Sequence, residues 1–307
     1  MSLWRSSQSA KAIPKSAVCG SRISKCGGFQ NHHTRSCMIF RKLNEAGTPG
    51  MAFEFIELDV RASVGWFRFN RPPVNAVHWE MLDEFVPALQ ELAARPDVKV
   101  VVIASALERY FSSGADISAF KDTEPGRMQH WIEKTHHLAR VIRALDKPVL
   151  AAIRGVAVGG GLEMTLHADL RFAAEDARLG QPEINIGFIP PIAGTQSLVR
   201  LIGRSEAFRM LYGGDLMDAA AALRIGLVDS VSPSEQLIDD VQAFGEMLAS
   251  KPANALAAIR RCLIDGGGQT FDAGMEIEKK QAVDLAAHPN FEEGIAAFLD
   301  KRKPNWV

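Results

Sequence analysis

Two glutamates, Glu163 and Glu183, stand in the settings of this chain best suited to acid–base chemistry. Glu163 follows the triple glycine Gly159-Gly160-Gly161, and Glu183 lies in Gly180-Gln181-Pro182-Glu183. Glycines let the backbone approach a ligand closely. The free N–H groups and positive dipole end of a helix opening there would face that ligand. A second carboxylate returning to the same place would supply the partner for a proton relay. Plainer readings exist for each part. Acids are common in a first helical turn, where they complement the dipole. The glycines also suit close packing of a helix on a strand, and Glu183 also fits a loop acid. What raises Glu163 above that background is its apolar flank, Leu162, Met164 and Leu166, which would desolvate the carboxylate and lift its pKa.

Other chemistries find no support. A dinucleotide loop needs GxGxxG after the first strand of a βαβ unit. Here Gly155-Val156-Ala157-Val158-Gly159-Gly160-Gly161 has the wrong spacing and follows several strands. No Gly-Lys-Ser/Thr phosphate loop occurs, and no nucleophile elbow marks a serine hydrolase. His130, His136, His137 and His167 read as surface or core residues. Cys19, Cys26 and Cys37 lack the close pairing of zinc modules, so no metal is expected. Cys262 stands alone in the main body, the usage of a reducing compartment.

The elements that must position the glutamates are legible from about Phe53. Phe53 to Val60 and Val64 to Phe69 read as strands joined by a short turn at Arg61-Ala62-Ser63. Met81, Leu82, Phe85, Leu89 and Leu92 form a helical stripe. Val98 to Ile103 and Val149 to Ile153 are apolar runs suited to strands buried on both faces. Between them Leu138, Val141, Ile142 and Leu145 mark a helix stopped by Lys147-Pro148. A short helix follows the triple glycine, then a strand at Leu170 to Ala174. This alternation predicts α/β layering. Past about Ile192 the strand signal thins, and helical patterns cover Ser197 to Ile202, Ser205 to Tyr212, Ala219 to Leu223, Glu235 to Ala249, Ala253 to Ile264 and Ala273 to Ala287. A last stripe of Phe291, Ile295 and Phe298 precedes Lys301-Arg302-Lys303. The expected organisation is an N-terminal extension over 1–50, an α/β core over 51–200 and a helical region over 201–307.

Composition bounds the rest. In 307 residues, 47% are apolar and 23% charged, as in ordinary globular proteins. A net charge of −1 argues against a dedicated nucleic-acid binder. No apolar stretch reaches the roughly 18 residues that cross a bilayer. The first fifty residues hold eight basic residues, eight serines and the single acid Glu45. That bias fits a mitochondrial transit peptide or an upstream extension ahead of a folded start at Met51. The expected location is the cytoplasm, or the mitochondrial matrix if the extension is a genuine transit peptide.

Several segments, taken in order, resemble the enoyl-CoA hydratase/isomerase (crotonase) family. They are Phe111-Ser112-Ser113-Gly114-Ala115-Asp116-Ile117, Lys147-Pro148 through Gly155, Gly159-Gly160-Gly161-Leu162-Glu163, and Gln181-Pro182-Glu183 through Gly194-Thr195-Gln196. Gly213-Gly214-Asp215, Gly226-Leu227-Val228 and Glu293 through Arg302 match as well, so the resemblance covers about residues 53 to 307. It implies a spiral of ββα units with a helical C-terminal region that assembles trimers or dimers of trimers. It also implies an acyl-CoA substrate with no separate cofactor, coenzyme A being part of the substrate. By motif, the N–H groups of Ala115 and Gly160 become an oxyanion hole for the thioester oxygen. Glu163 becomes the base for a water attacking Cβ, and Glu183 the donor of a proton at Cα. Having both acids favours hydration of a trans-2-enoyl-CoA. Isomerase, dehydratase and thioesterase reactions are the alternatives within the family, and a non-catalytic or RNA-binding relative is the alternative outside catalysis.

The resemblance also lays coenzyme A along Pro73, Val74 and the Ala115-Asp116-Ile117 backbone, with Phe298 and Lys301 coming from a neighbouring subunit. Lys301 equally suits a solvated terminal charge. The chain departs from the family pattern after Ile189-Pro190. Many relatives have Gly-x-Gly-Gly-Thr-Gln where this chain has Pro191-Ile192-Ala193-Gly194-Thr195-Gln196. Proline there fixes φ and removes an N–H, which bears on the acyl group that this loop borders.

Overall fold

The computed structural model describes residues 53–121 and 123–307. The basic, serine-rich segment with Cys19, Cys26 and Cys37 and the expected start at Met51 lie outside the described residues. The chain opens with the hairpin of β1 (Ile56–Arg61) and β2 (Val64–Phe69). Arg61 pairs with Val64, leaving Ala62 and Ser63 as a two-residue loop. Both have positive φ, 45° and 67°, the conformation that matches the twist of flanking strands. Then come α1 (Trp79–Ala94), β3 (Val100–Ser105), β4 (Tyr110–Ser112), α2 (Pro125–Ala144), β5 (Val149–Ile153), β6 (Val156–Val158), α3 (Gly160–Thr165), β7 (Leu170–Ala174) and β8 (Arg178–Gly180). The remainder adds α4 (Gly194–Leu201), α5 (Gly203–Gly213), β9 (Leu216–Asp218), α6 (Ala219–Arg224), β10 (Ser230–Ser232), α7 (Leu237–Ala249), α8 (Ala253–Gly266), α9 (Phe271–Ala286) and α10 (Pro289–Leu299).

Two sheets result. The first has the order β1-β2-β3-β5-β7-β10 and is parallel except for the opening hairpin. Its central strands β3 and β5 are buried on both faces, so their apolar runs need no alternation. Val64, Trp66, Val100, Val102 and Leu150 pack with Leu237 and Val241 of α7 on one face. Phe67, Phe69, Val101 and Ile103 join α1 and α2 on the other. Phe69 meets Phe85 of α1 at a ring separation of 5.2 Å, within the range where aromatic pairs attract. Burial of this kind is the main source of the fold's stability, so Phe85→Ala should cost about 3–5 kcal/mol.

The second sheet has the order β4-β6-β8-β9, and each of its strands is three residues long. β4, β6 and β8 run parallel, so their carboxyl ends lie along one edge. A three-residue strand is too short for any hydrophobic period, which is why the sequence pattern gives no sign of these strands. β9 and β10 are short strands past Ile192, where the strand signal of the sequence thins. They join the helical region to the second and first sheets respectively.

Two buried arginines tie the layers together. Arg171 of β7 pairs with Asp229 at 3.0 Å and donates through Nε to the Leu227 carbonyl. Arg260 of α8 pairs with Asp169 at 2.9 Å. It also donates to the carbonyls of Ile142, Arg143 and Leu145, closing the C-terminal end of α2. Both guanidinium groups are paired and hydrogen-bonded, the condition for burying a charge.

Candidate active site

The carboxyl ends of the short parallel strands deliver the predicted residues to one place. β4 leads into Ser113-Gly114-Ala115, β6 into Gly159-Gly160, and β8 into Gln181-Pro182-Glu183. Open α/β sheets bind ligands at such ends. The Gly159 N–H donates to the Gly180 carbonyl at 3.1 Å, extending the β6–β8 ladder to the point where the two glutamate segments diverge.

The triple glycine does different work at each position. A β-carbon on Gly161 would stand 2.5 Å from the Ser112 Cβ, so this glycine serves the close packing of α3 on β4. A β-carbon on Gly159 would stand 2.9 Å from Glu183 Oε1. Gly159 also has φ 54°, a conformation open to glycine. Gly160 lines the cavity. The packing reading therefore holds at Gly161, and Gly160 lies on the cavity, where close approach of a ligand would apply. With only six residues, α3 has a small dipole. What remains is its free first-turn N–H groups.

Glu163 is completely buried. Its Oε1 accepts from the N–H of Ile192 at 2.7 Å and of Gly194 at 2.8 Å. Those donors belong to the loop that departs from the family pattern. They converge because Ala193 between them takes the left-handed conformation, φ 61° and ψ 22°, turning successive N–H groups to one side as in an anion-binding nest. Glu163 Oε2 is buried and meets no donor among the described residues. Burial, and after it the charge of Glu183, push the Glu163 carboxyl up to about 8 against the pull of the two N–H groups.

Glu183 sits half-buried at the second position of a 3-10 turn, Pro182–Ile186. Burial lifts its carboxyl to about 7. The buried Gln181, with its amide nitrogen turned toward Glu183, lies 3.2 Å from Oε1 and 3.1 Å from Oε2.

Ala115 and Gly160 face the same cavity. Val77 donates to the Gly114 carbonyl and accepts from the Asp116 N–H. This bridge leaves the Ala115 N–H pointing away from residue 77. Neither the Ala115 N–H nor the Gly160 N–H is taken up by another group among the described residues. A β-carbon on Gly114 would stand 3.5 Å from the Gly160 nitrogen, so the two segments run close together.

The remaining predicted positions divide. Pro73 and Val74 lie beside the Ala115 segment, because the Ser113 N–H donates to the Val74 carbonyl at 3.0 Å. Ile117 is exposed at the rim of the cavity. The backbone of Asp116 is already engaged, its N–H with Val77 and its carbonyl with Ala119, and its carboxylate pairs with Arg71 at 3.1 Å. Phe298 lies on α10 beside a separate apolar groove with Phe291, Leu299 and Trp306. Lys301 follows α10 with φ 55°. Within one chain neither Phe298 nor Lys301 reaches the cavity that Glu183 lines.

Sequence reasoning passed over the supports of the site. Asn75 is buried with φ 51°, and its side chain donates to the Phe111 carbonyl at 3.0 Å and to Ser105 Oγ at 2.8 Å. Ser112 Oγ donates to the Asn75 carbonyl at 2.7 Å and accepts from the Gly114 N–H at 3.1 Å. Together they fix the Ala115 segment. An asparagine after Pro72-Pro73 was the available signal, since asparagine tolerates the left-handed region in turns.

The cavity has a volume of about 410 Å³. Glu183 lines it, and much of the rest of its wall is apolar, including Phe85 of α1, Trp131 and Leu138 of α2, and Phe188 and Ile192. No cluster of three or more His, Cys, Asp or Glu side chains with metal-binding geometry occurs among the described residues.

An α/β protein with two free backbone N–H groups and one raised carboxyl on a largely apolar cavity, and a second raised carboxyl buried behind it, is equipped as an acid–base enzyme. The chain belongs to the enoyl-CoA hydratase/isomerase family, whose profile matches residues 59–307. It is similar to a crotonyl-CoA hydratase of Syntrophomonas wolfei, 33% identical over 258 residues, which span 84% of this chain and 99% of that protein. It is also similar to a mitochondrial enoyl-CoA hydratase of Pongo abelii, 34% identical over 267 residues, 84% of this chain and 89% of the other. Among solved structures, an enoyl-CoA hydratase from Geobacillus kaustophilus superposes with a TM-score of 0.81 at 29% identity, covering 83% of this chain and 97% of its own. The fold is accordingly that of the crotonases, with its helical C-terminal region.

Proposed function

We propose that this chain is an enoyl-CoA hydratase that adds water across the double bond of a trans-2-enoyl-CoA to give a 3-hydroxyacyl-CoA. The relatives named above support the reaction. The observation that carries the residue roles is a fully buried Glu163 whose carboxyl feels the charge of Glu183, with Glu183 lining the same cavity as Ala115 and Gly160.

The thioester oxygen accepts from the Ala115 and Gly160 N–H groups. Attack at Cβ throws negative charge onto that oxygen, and each donor aimed at it is worth about 3 kcal/mol in comparable sites. A water held at Glu163 Oε2, the oxygen without a protein donor, loses its proton to Glu163 as it attacks Cβ. Glu183 delivers a proton to Cα. Burial raises both carboxyls, so the pair can hold a proton near neutral pH. Water at Oε2 resolvates Glu163 and lowers its pKa, which puts that proton on Glu183 and sets up both roles.

The acyl chain enters the apolar wall between α1 and α2. A cavity of about 150 Å³ accommodates benzene, so a cavity of 410 Å³ suits short or medium chains, including branched or cyclic ones. Coenzyme A runs out past Ile117 and Val74. Exposed apolar side chains on the C-terminal helices, such as Leu263, Phe271 and Phe298, support assembly of this region into a trimer or a dimer of trimers. That assembly would bring Phe298 and Lys301 to a neighbour's coenzyme. A panel of trans-2-enoyl-CoA chain lengths, followed by loss of the conjugated absorbance and by product identification, tests the reading. The expected product is the 3-hydroxyacyl-CoA. Migration of the double bond without hydration, or release of free CoA, would replace hydration by isomerisation or thioester hydrolysis.

A further inference from the structure

His167 lies in the turn after α3, at the back of the site, and is buried. Its Nε2 stands 2.8 Å from the Ile192 carbonyl oxygen. A carbonyl oxygen has no proton to give, so Nε2 carries the hydrogen and donates it. That carbonyl belongs to the peptide between Ile192 and Ala193. The peptides on either side of it are the ones whose N–H groups, of Ile192 and Gly194, hold Glu163 Oε1. Three successive peptides are thus pinned, the outer two to Glu163 and the middle one to His167. The loop needs such an anchor. Ala193 within it is left-handed at φ 61°, a conformation that strains any residue with a β-carbon.

We propose that His167 is a positioning residue for Glu163, fixing through the Ile192 carbonyl the two backbone N–H groups that aim the carboxylate. The proposal rests on the reading of Glu163 as the group that activates water. Burial pushes the His167 imidazole down to about 4 against the pull of the Ile192 carbonyl, and the charge of Arg143 acts in the same direction as burial. The ring therefore stays neutral near pH 7, where a single ring N–H leaves the donor on Nε2.

Three variants separate positioning from packing. His167→Gln keeps an amide donor near the position of Nε2, His167→Asn is too short to reach, and His167→Leu has no donor. His167→Leu and His167→Asn should lower kcat by roughly 10- to 100-fold, the effect of a small misplacement of a reacting group. KM for the enoyl-CoA should stay within about twofold, since the loss falls on the chemical step. His167→Gln should recover most of the lost kcat. Amide hydrogen exchange of Ile192 and Gly194, read by NMR, should accelerate in the Leu and Asn variants and stay protected in the Gln variant. Should His167→Leu fail to fold, the Gln and Asn variants give the same comparison. Equal losses of kcat in all three variants, or unchanged kcat and amide protection in the Asn variant, would overturn the proposal. Wild-type chain without turnover on any enoyl-CoA would sink the proposed function instead, and the amide exchange would still decide the role of His167.

Discussion

Glu163 and Glu183 lie close enough for the charge of one to raise the other, but they are held by different means. Glu163 is gripped by the backbone, through two N–H groups of a loop bent at Ala193, and has no exposure. Glu183 stands half-buried on a short 3-10 turn, steadied by the side-chain amide of Gln181. Backbone donors cannot rotate away, so they fix a carboxylate in place. A side-chain amide on a short turn gives a carboxylate room to adjust. The contrast fits a fixed base beside an acid that must follow a carbon as it changes geometry.

Neutralising each carboxylate should have the largest effect. Glu163→Gln and Glu183→Gln should each lower kcat by about 10²–10⁴-fold. Equilibrium binding of a 3-hydroxyacyl-CoA should change little, because the amides keep the shape of the site. Near-normal hydration by either variant would remove that residue from the mechanism. Glu163→Gln should also be the more stable protein in alkali. The Glu163 carboxyl is raised from 4.5 to about 8 on folding, so the folded chain binds its proton more tightly. The stability this contributes is complete below the unfolded value and is lost as pH rises through the folded one. Glutamine does not titrate, so thermal unfolding at alkaline pH should show a higher Tm for the variant than for the wild type.

Next in size is Gly194→Ala. Its β-carbon would stand 2.6 Å from Glu163 Oε1 and 2.8 Å from the Pro190 Cβ, so the carboxylate must shift. A fall in kcat of about 100-fold is expected in steady-state assays. The smallest effect should come from Ala193→Gly. This removes a left-handed alanine and should raise stability by about 1 kcal/mol, read from denaturant unfolding. The added freedom of glycine in the unfolded chain offsets part of that gain.

Much of the first sheet was legible because its strands are long and apolar. Val149 to Ile153 and Leu170 to Ala174 coincide with β5 and β7. The second sheet was not legible, although it aims both glutamates. Its three-residue strands are held by register with their neighbours, not by a pattern of their own. Glu163 and Glu183 stood out through their glycine and apolar flanks. Their partners did not. Ile192 and Gly194 act through backbone N–H groups that carry no residue-specific mark, and Gln181 is an ordinary polar residue until β8 places it. Arg260 reaches Asp169 across ninety-one positions of sequence, a contact that only the packing of α8 creates.

The most direct test of the carboxylate pair is the pH dependence of kcat/KM for wild-type hydration, which reports the free enzyme. Below about 7 both carboxyls hold protons and no base is available. Above about 8 both are ionised and no acid remains. The two groups titrate as a pair, so the limbs belong to the pair. A bell with limbs near these values is expected, with both limbs altered in Glu163→Gln and Glu183→Gln. A profile flat through this range, or one that either variant leaves unmoved, would contradict the account.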